Sequence, residues 1–196
     1  MAHVITELRD KIRALVGDFI KTDTEVVTCS TSNIFTLQES GVENIVQVSK
    51  NGTSLGSGDW SYDSSTNKVT ITTSCNSGDI IEIIYTYYKY SQTEIDGYIK
   101  ASLVWLSVFD AGEKDFEIED SDIYPTPNNQ EEDIIALVAS IIIKPNWSEY
   151  RLPNVTLRYP RKFSKEEKIE RLINKWTRGL GVTCILEWDY YDYNED

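Results

Sequence analysis

Histidine occurs once in the 196 residues, at His3. Histidine-based acid–base catalysis and a Ser-His-Asp arrangement therefore have nowhere to sit. Cysteine is nearly as sparse: Cys29, Cys75 and Cys184 are odd in number, widely spaced and without a CxxC pair. Such a set supplies neither a disulfide framework nor a zinc motif, so reduced, mostly buried thiols are expected, consistent with assembly inside a cell. No GxxxxGK[ST] phosphate loop is present, and "GLGVTC" from Gly179 reads as a helix exit. No run approaches the roughly 20 apolar residues that span a bilayer. The opening "MAHVITELRDKIRALVG" carries charges throughout, unlike a signal peptide. Positive charge is short as well, 19 Lys and Arg against 32 Asp and Glu, a net −13. That balance excludes a generic nucleic-acid binder and disfavours anionic membranes. It suits a surface past which DNA slides without sticking, because like charges repel.

What is present divides into three textures. Val4, Ile5, Leu8, Ile12, Leu15, Val16 and Phe19 recur at helical spacing, and Gly17 with "KTDT" ends that helix. From Glu25 to Lys89, short β-branched runs ("EVVTCS", "IFTLQ", "IVQVSK", "KVTITT", "DIIEIIYTYY") alternate with turn residues. Asn51-Gly52 is a two-residue hairpin signal because both residues accept positive φ. "DSSTN" at 63–67 and Asn76-Ser77-Gly78-Asp79 mark further turns. Five or six short strands joined this way predict a small antiparallel sandwich or barrel.

Helical signals return at the Ser91–Glu94 capping box. Ile95, Ile99, Leu103 and Leu106 form a stripe there, thickened by Tyr98, Trp105 and Phe109, and predict a central, mostly buried helix. Asn128 with Glu131 opens another helix, "EEDIIALVASIIIK", apolar nearly all round and stopped by Pro145. "NVTLRYP" reads as a strand. Ser164 with Glu167 caps a last helix carrying Ile169, Leu172, Ile173 and Trp176. Gly179 is the left-handed cap candidate that ends it. The fold class predicted is α+β: about four helices (1–24 and 90–196), an inserted β module (25–89) and an extended carboxy-terminal tail.

Candidate sites are few. The acidic run 110–122 lacks EF-hand spacing and its central glycine, so a solvated loop is expected and no metal or other cofactor. Trp60, Tyr62, Tyr85, Tyr87 and Tyr88 suggest either a carbohydrate platform or core and cross-strand pairs. Charge is segregated. Arg158, Arg161, Lys162, Lys165, Lys168, Arg171, Lys175 and Arg178 stand against three glutamates, whereas the tail after Gly179 holds five acids and no cation. Two readings stay open: head-to-tail packing of copies into a ring, or an acidic tail folding back on a solvated helix face. In that tail, "CILEWDYYDYNED", Leu186, Trp188 and Tyr190 alternate with Glu187 and Asp189.

The helix order, from the leading helix through "IDGYIKASLVWLSVF" and "EEDIIALVASIIIKP" to a basic closing helix and extended tail, resembles head–tail connector (adaptor) proteins of tailed bacteriophages. The resemblance covers 2–24 and 91–196, and the β module departs from the minimal pattern. It implies a non-catalytic virion protein of the neck, forming a dodecameric ring that passes DNA through its lumen. The partners it implies are the portal protein, a downstream neck, stopper or tail protein, and further copies of the chain. By the same resemblance Ile185, Leu186, Trp188, Tyr190, Tyr191 and Tyr193 would dock on the portal, and Arg158, Arg161, Lys162, Lys168, Arg171, Lys175 and Arg178 would pack the ring. Alternatives are a tail-completion or stopper protein, and a carbohydrate- or receptor-binding module on a helical base.

Overall fold

The structure, a computed structural model, describes residues 4–30, 32–109, 115–119, 122–152, 155–160 and 162–177. In chain order these form α1 (Val4–Val16), β1 (Lys21–Thr28), β2 (Ile34–Thr36), β3 (Val42–Lys50), β4 (Thr53–Ser54), β5 (Trp60–Asp63), β6 (Lys68–Ile71) and β7 (Ile80–Tyr87). There follow α2 (Gln92–Val108), β8 (Glu117–Glu119), β9 (Asp122–Tyr124), α3 (Asn129–Ile143), β10 (Glu149–Leu152), β11 (Val155–Arg158) and α4 (Lys165–Thr177). The fold is mixed α+β, and the chain divides into two units, one made of Met1–Gly17 with Thr93–Asp196 and the other of Asp18–Gln92.

In the helical unit α3 is the centre. Ile134 through Ala139 are wholly buried on every side of the helix, as the continuous apolar run predicts. Its start is fixed by the Asn128–Glu131 capping box, with Asn128 Oδ1 accepting from the Gln130 and Glu131 amides and Glu131 Oε2 accepting from the Asn128 amide. Against α3 pack α1 and α4. From α1 the residues Leu8 and Ile12 are fully buried, each stabilising by about 1.5–3 kcal/mol on hydrophobic transfer alone. Two cations of α1 tie it to its neighbours. Arg9 donates to both oxygens of Asp96 on α2 at 2.7 and 2.8 Å, and Lys11 Nζ donates to Glu132 (2.6 Å) and Asp133 (3.1 Å) on α3. Burial opposes the Lys11 charge, but the two carboxylates outweigh it and hold the ammonium above its ordinary range. The acidic run expected as a loop contains part of a two-stranded pairing, Glu117↔Tyr124 to Glu119↔Asp122.

The β unit has a four-stranded sheet, β1-β7-β3-β4, and a three-stranded one, β2-β6-β5, all antiparallel. Val69 and Ile71 of the smaller sheet share one core with Ile45, Val48, Ile81, Ile83 and Tyr85 of the larger. The turn signals hold: Asn51 (φ 49°) and Gly52 (φ 77°) join β3 to β4, Asn67 (φ 56°) precedes β6, and Gly78 has φ 94°. Asn67 is also a polar anchor. Its Nδ2 donates to the Leu37 and Glu39 carbonyls and its Oδ1 accepts from Tyr62, pinning 37–39 to the β5–β6 hairpin. Polar Glu25 faces this core and is satisfied there by the Tyr85 hydroxyl (2.6 Å) and the Gln38 amide (2.8 Å).

Three expectations need correction. "KTDT" is not a helix exit. It is the first half of β1, paired from Lys21↔Tyr87 to Thr24↔Ile84, because threonine suits a strand and Tyr85 and Tyr87 supply the opposite row. Cys29 and Cys75 are joined in a disulfide across 46 positions, Cα atoms 6.2 Å apart. Spacing along the sequence gives no hint of a pairing that the meeting of two loops creates. In the chain-entropy account a closed loop of that size contributes about 4 kcal/mol. Lastly, α2 is buried on one side only: Ile95, Ile99, Leu103 and Leu106 face inward while Val104 and Val108 are 63% and 70% exposed.

Gly41 is the tightest point of the β unit. A Cβ there would stand 2.1 Å from the Tyr88 carbonyl oxygen, and the Tyr88 amide donates back to the Gly41 carbonyl. Gly58 has open space around the same position. Gly41→Ala is expected to destabilise the β unit by roughly 2 kcal/mol or more, and Gly58→Ala by less than about 0.5 kcal/mol, in urea denaturation. Equal losses would contradict this packing.

Candidate interaction surfaces

The expected ring-packing cations do not form one exposed row. Arg158 on β11 is exposed, its Nε 3.7 Å from Glu149, and Lys162 is exposed on the turn before α4. Lys168 is fully buried. Its ammonium donates to the carbonyl oxygens of Pro145 and Trp147 (2.8 Å to the latter). Burial pulls its pKa below the ordinary lysine value. Lys168 is therefore an internal strut that ties α4 to the exit of α3, not a surface charge. Arg171 is half-buried, its guanidinium 4.2 Å from the Phe163 ring centre, and Lys175 is half-buried as well. Arg161, Arg178 and the six tail residues Ile185, Leu186, Trp188, Tyr190, Tyr191 and Tyr193 lie outside the described residues.

Around Lys168 the sequence builds an aromatic patch that periodicity did not single out. Pro145 ends α3, and the Lys144 amide still reaches Ser140 O. The next turn is closed by Trp147 N donating to Lys144 O. Tyr150 follows on β10, opposite Leu157, with its hydroxyl donating to Lys144 O. Tyr159 leaves β11 with its amide on Ser148 O. The rings run on from one another: Trp147 to Tyr150 at 6.4 Å, and Tyr150 to Tyr159 at 6.3 Å in an edge-on arrangement. Lys144 Nζ sits 5.2 Å over Trp147. Burial pushes the Tyr150 phenol up to about 12. It pushes Tyr159 up too, with Tyr150 adding to the shift and nearby Arg171 opposing it. Tyr150 and Tyr159 are buried, whereas Trp147 keeps 39% of its surface exposed. Trp147 is the ring of this group that faces solvent, with Lys144 over it, and the half-buried Phe163 carries Arg171. The signal available was the pairing of "EYRL" with "VTLR" as a hairpin, which is the β10–β11 pair, not any period in the aromatics at 147, 150, 159 and 163.

A second surface lies on α2, where Val104 and Val108 are exposed and Trp105 stacks on Phe109 with ring centres 5.7 Å apart. In the β unit the aromatic platform is not assembled. Tyr85 is buried in the core, and Trp60, Tyr62 and Tyr87 pack against it. Among the described residues no group of three or more His, Cys, Asp and Glu is placed to hold a metal ion. No described helix is long and apolar enough to cross a membrane.

No known protein-family model matches the chain, and no curated protein matches it significantly.

The strut role of Lys168 gives a sharp contrast. Lys168→Met keeps the buried stem but strands two carbonyls. It is expected to destabilise the helical unit by about 2–3 kcal/mol, the scale of hydrogen bonds from a charged donor. Arg158→Ala removes only an exposed, loosely paired charge and is expected to change stability by less than about 0.5 kcal/mol. Chemical denaturation followed by far-ultraviolet circular dichroism measures both, and an equal response would refute the assignment.

Proposed function

We propose that the chain is a structural subunit of the neck of a tailed bacteriophage, a head–tail connector with an inserted antiparallel β-sandwich. The observation that carries the proposal is the organisation of the helical unit. It is assembled from α1 and from α2, α3 and α4 across the intervening Asp18–Gln92 unit, with the helix order on which the resemblance rests. In this reading the subunit works by docking, not catalysis. Copies pack side by side as a ring in the virion, the portal lies on one side and the downstream neck or tail protein on the other. DNA passes through the lumen, its sliding favoured by a chain of net charge −13. The segment 185–193 is the portal contact: strand addition to the portal would supply main-chain affinity, and Leu186, Trp188 and Tyr190 would supply specificity. The exposed Val104–Val108 side of α2 is the natural face for packing of copies. A glycan-binding module is the weaker reading, since Tyr85 is buried and Trp60, Tyr62 and Tyr87 pack on the β core.

Co-sedimentation of the purified chain with its cognate portal protein tests the proposal. The full-length chain is expected to bind, and a version ending at Thr183 is expected to lose binding by at least roughly tenfold, the scale of removing a hot-spot aromatic cluster. Equal binding by both would move the interface to the helical unit. Absence of binding by both would end the connector reading.

A further inference from the structure

Strand β1 is an open sheet edge. In the order β1-β7-β3-β4 it lies outermost, and among the described residues no strand pairs with its other side. Which of its residues bond outward follows from β7. There Asn51 N donates to Ile80 O and Tyr88 N to Gly41 O, both at the ends of β3, whereas Asp79 O accepts from Cys29 N just after β1. Bonding sides alternate along a strand, and the β1–β7 register is unbroken. Lys21, Asp23, Glu25 and Val27 therefore bond to β7, and the main chain of Thr22, Thr24, Val26 and Thr28 faces outward. All four are exposed, Val26 at 63%. The Thr24 amide is held by Asp23 Oδ1 at 2.8 Å, so Thr22, Val26 and Thr28 supply the outward donors. The other edges are blunt. Strand β4 has two residues, β2 three and β5 four, and β3 beyond β4 is broken by register shifts between Val42 and Asn44 and between Ile45 and Gln47. Short strands and bulges protect a sheet edge from pairing. Strand β1 has neither protection: it runs eight residues without a bulge.

The edge is complementary to itself in one register. Antiparallel pairing of β1 with β1 of a second copy sets outward-bonding residues opposite outward-bonding residues. Of the registers that then share at least five residues of β1, three oppose like charges: Asp23 to Asp23, Asp23 to Glu25, or Glu25 to Glu25. Like charges directly opposite destabilise a strand pair. The fourth register opposes none. It sets Val26 against Val26 on a two-fold axis, Thr24 against Thr28, and Glu25 against Val27. Each Val26 amide donates to the other copy's Val26 carbonyl, and each Thr28 amide to the other copy's Thr24 carbonyl. These are about four main-chain bonds, and they leave Asp23 on the Thr24 amide. The same pairing brings together the two exposed Val26 side chains, the apolar residue at the middle of the paired stretch.

We infer that β1 is a self-pairing edge: two copies of the chain join strand to strand through Thr24–Thr28, which makes one sheet continuous across both β units. The contact is isologous and closes at two copies, so it builds no ring. It is a property of the free chain, rests on β1 alone and does not depend on the neck reading.

Sedimentation velocity of the full-length chain tests this from about 10 μM to about 1 mM, the range of weak specific contacts. Salt at about 0.15 M screens the repulsion between two acidic copies. The expected result is a shift from monomer toward dimer as concentration rises. Val26→Pro removes the central donor but no bond to β7, since Val26 bonds outward. Val26→Lys sets two like charges on the axis. Each is expected to weaken association by at least roughly tenfold, with the far-ultraviolet circular dichroism unchanged. Residue-resolved hydrogen exchange on the unaltered chain locates the contact. The Val26 and Thr28 amides should slow with rising concentration, and by more than those of Asp23 and Val27, which already bond to β7. A monomer throughout the range, association indifferent to both variants, or Val26 and Thr28 exchange indifferent to concentration would overturn self-pairing at β1.

Discussion

The pairing of β1 with β7 is the constraint on which the rest of the structure depends. These are the first and last strands of the Asp18–Gln92 unit, and they run side by side in unbroken register from Lys21↔Tyr87 to Thr28↔Ile80. The chain therefore enters and leaves the β unit at neighbouring points. Asp18 fastens that junction: it is 4% exposed, and its carboxylate accepts from the Lys89 amide at 2.8 Å and the Tyr90 amide at 3.3 Å. The consequence lies in the helical unit. Helix α1 and the remaining helices are separated by a long stretch of sequence, and closing a loop costs conformational entropy that grows with its length. A β unit that brings its own ends together removes that cost before α1 meets α3.

The same logic explains why polar side chains sit in structural places. Asn67, Glu25, Asn128 and Lys168 each saturate buried or terminal backbone groups that would otherwise be unpaired. Lys168 shows how this bears on function. A lysine within a basic helix looks available to a partner, yet the carbonyls left where Pro145 stops α3 demand a donor, and Lys168 supplies it. The cations nearer the surface are Lys144, over the Trp147 ring, and Arg171, over the Phe163 ring.

Local signals carried far along the sequence where they depended on backbone physics. The Asn128–Glu131 and Ser164–Glu167 capping boxes formed, the latter with Ser164 N on Glu167 Oε2 at 2.7 Å and Glu167 N on Ser164 Oγ at 3.2 Å. So did the Asn51-Gly52 hairpin and the buried helix α3. What escaped depends on partners distant in sequence. Cys29 meets Cys75 only because the loops that follow β1 and precede β7 converge. The first half of β1, rich in polar residues, becomes a strand only beside β7. On α2 the exposed Val104 and Val108 share the outer side with Glu94, Lys100 and Ser107, and the broad apolar coverage of the helix hid which of its apolar residues face solvent. The patch escaped because its rings come from a turn, a hairpin and the approach to α4, which share no common period.

Native-state hydrogen exchange resolved by residue tests the central claim, that the β unit is closed by its own end strands. Amides bonded between β1 and β7 should belong to the slowest class of that unit and exchange together with those between β3 and β7, in one cooperative opening. If β1 exchanged well before β3, its pairing would be a frayed edge and not the closure that holds the two ends of the insertion together.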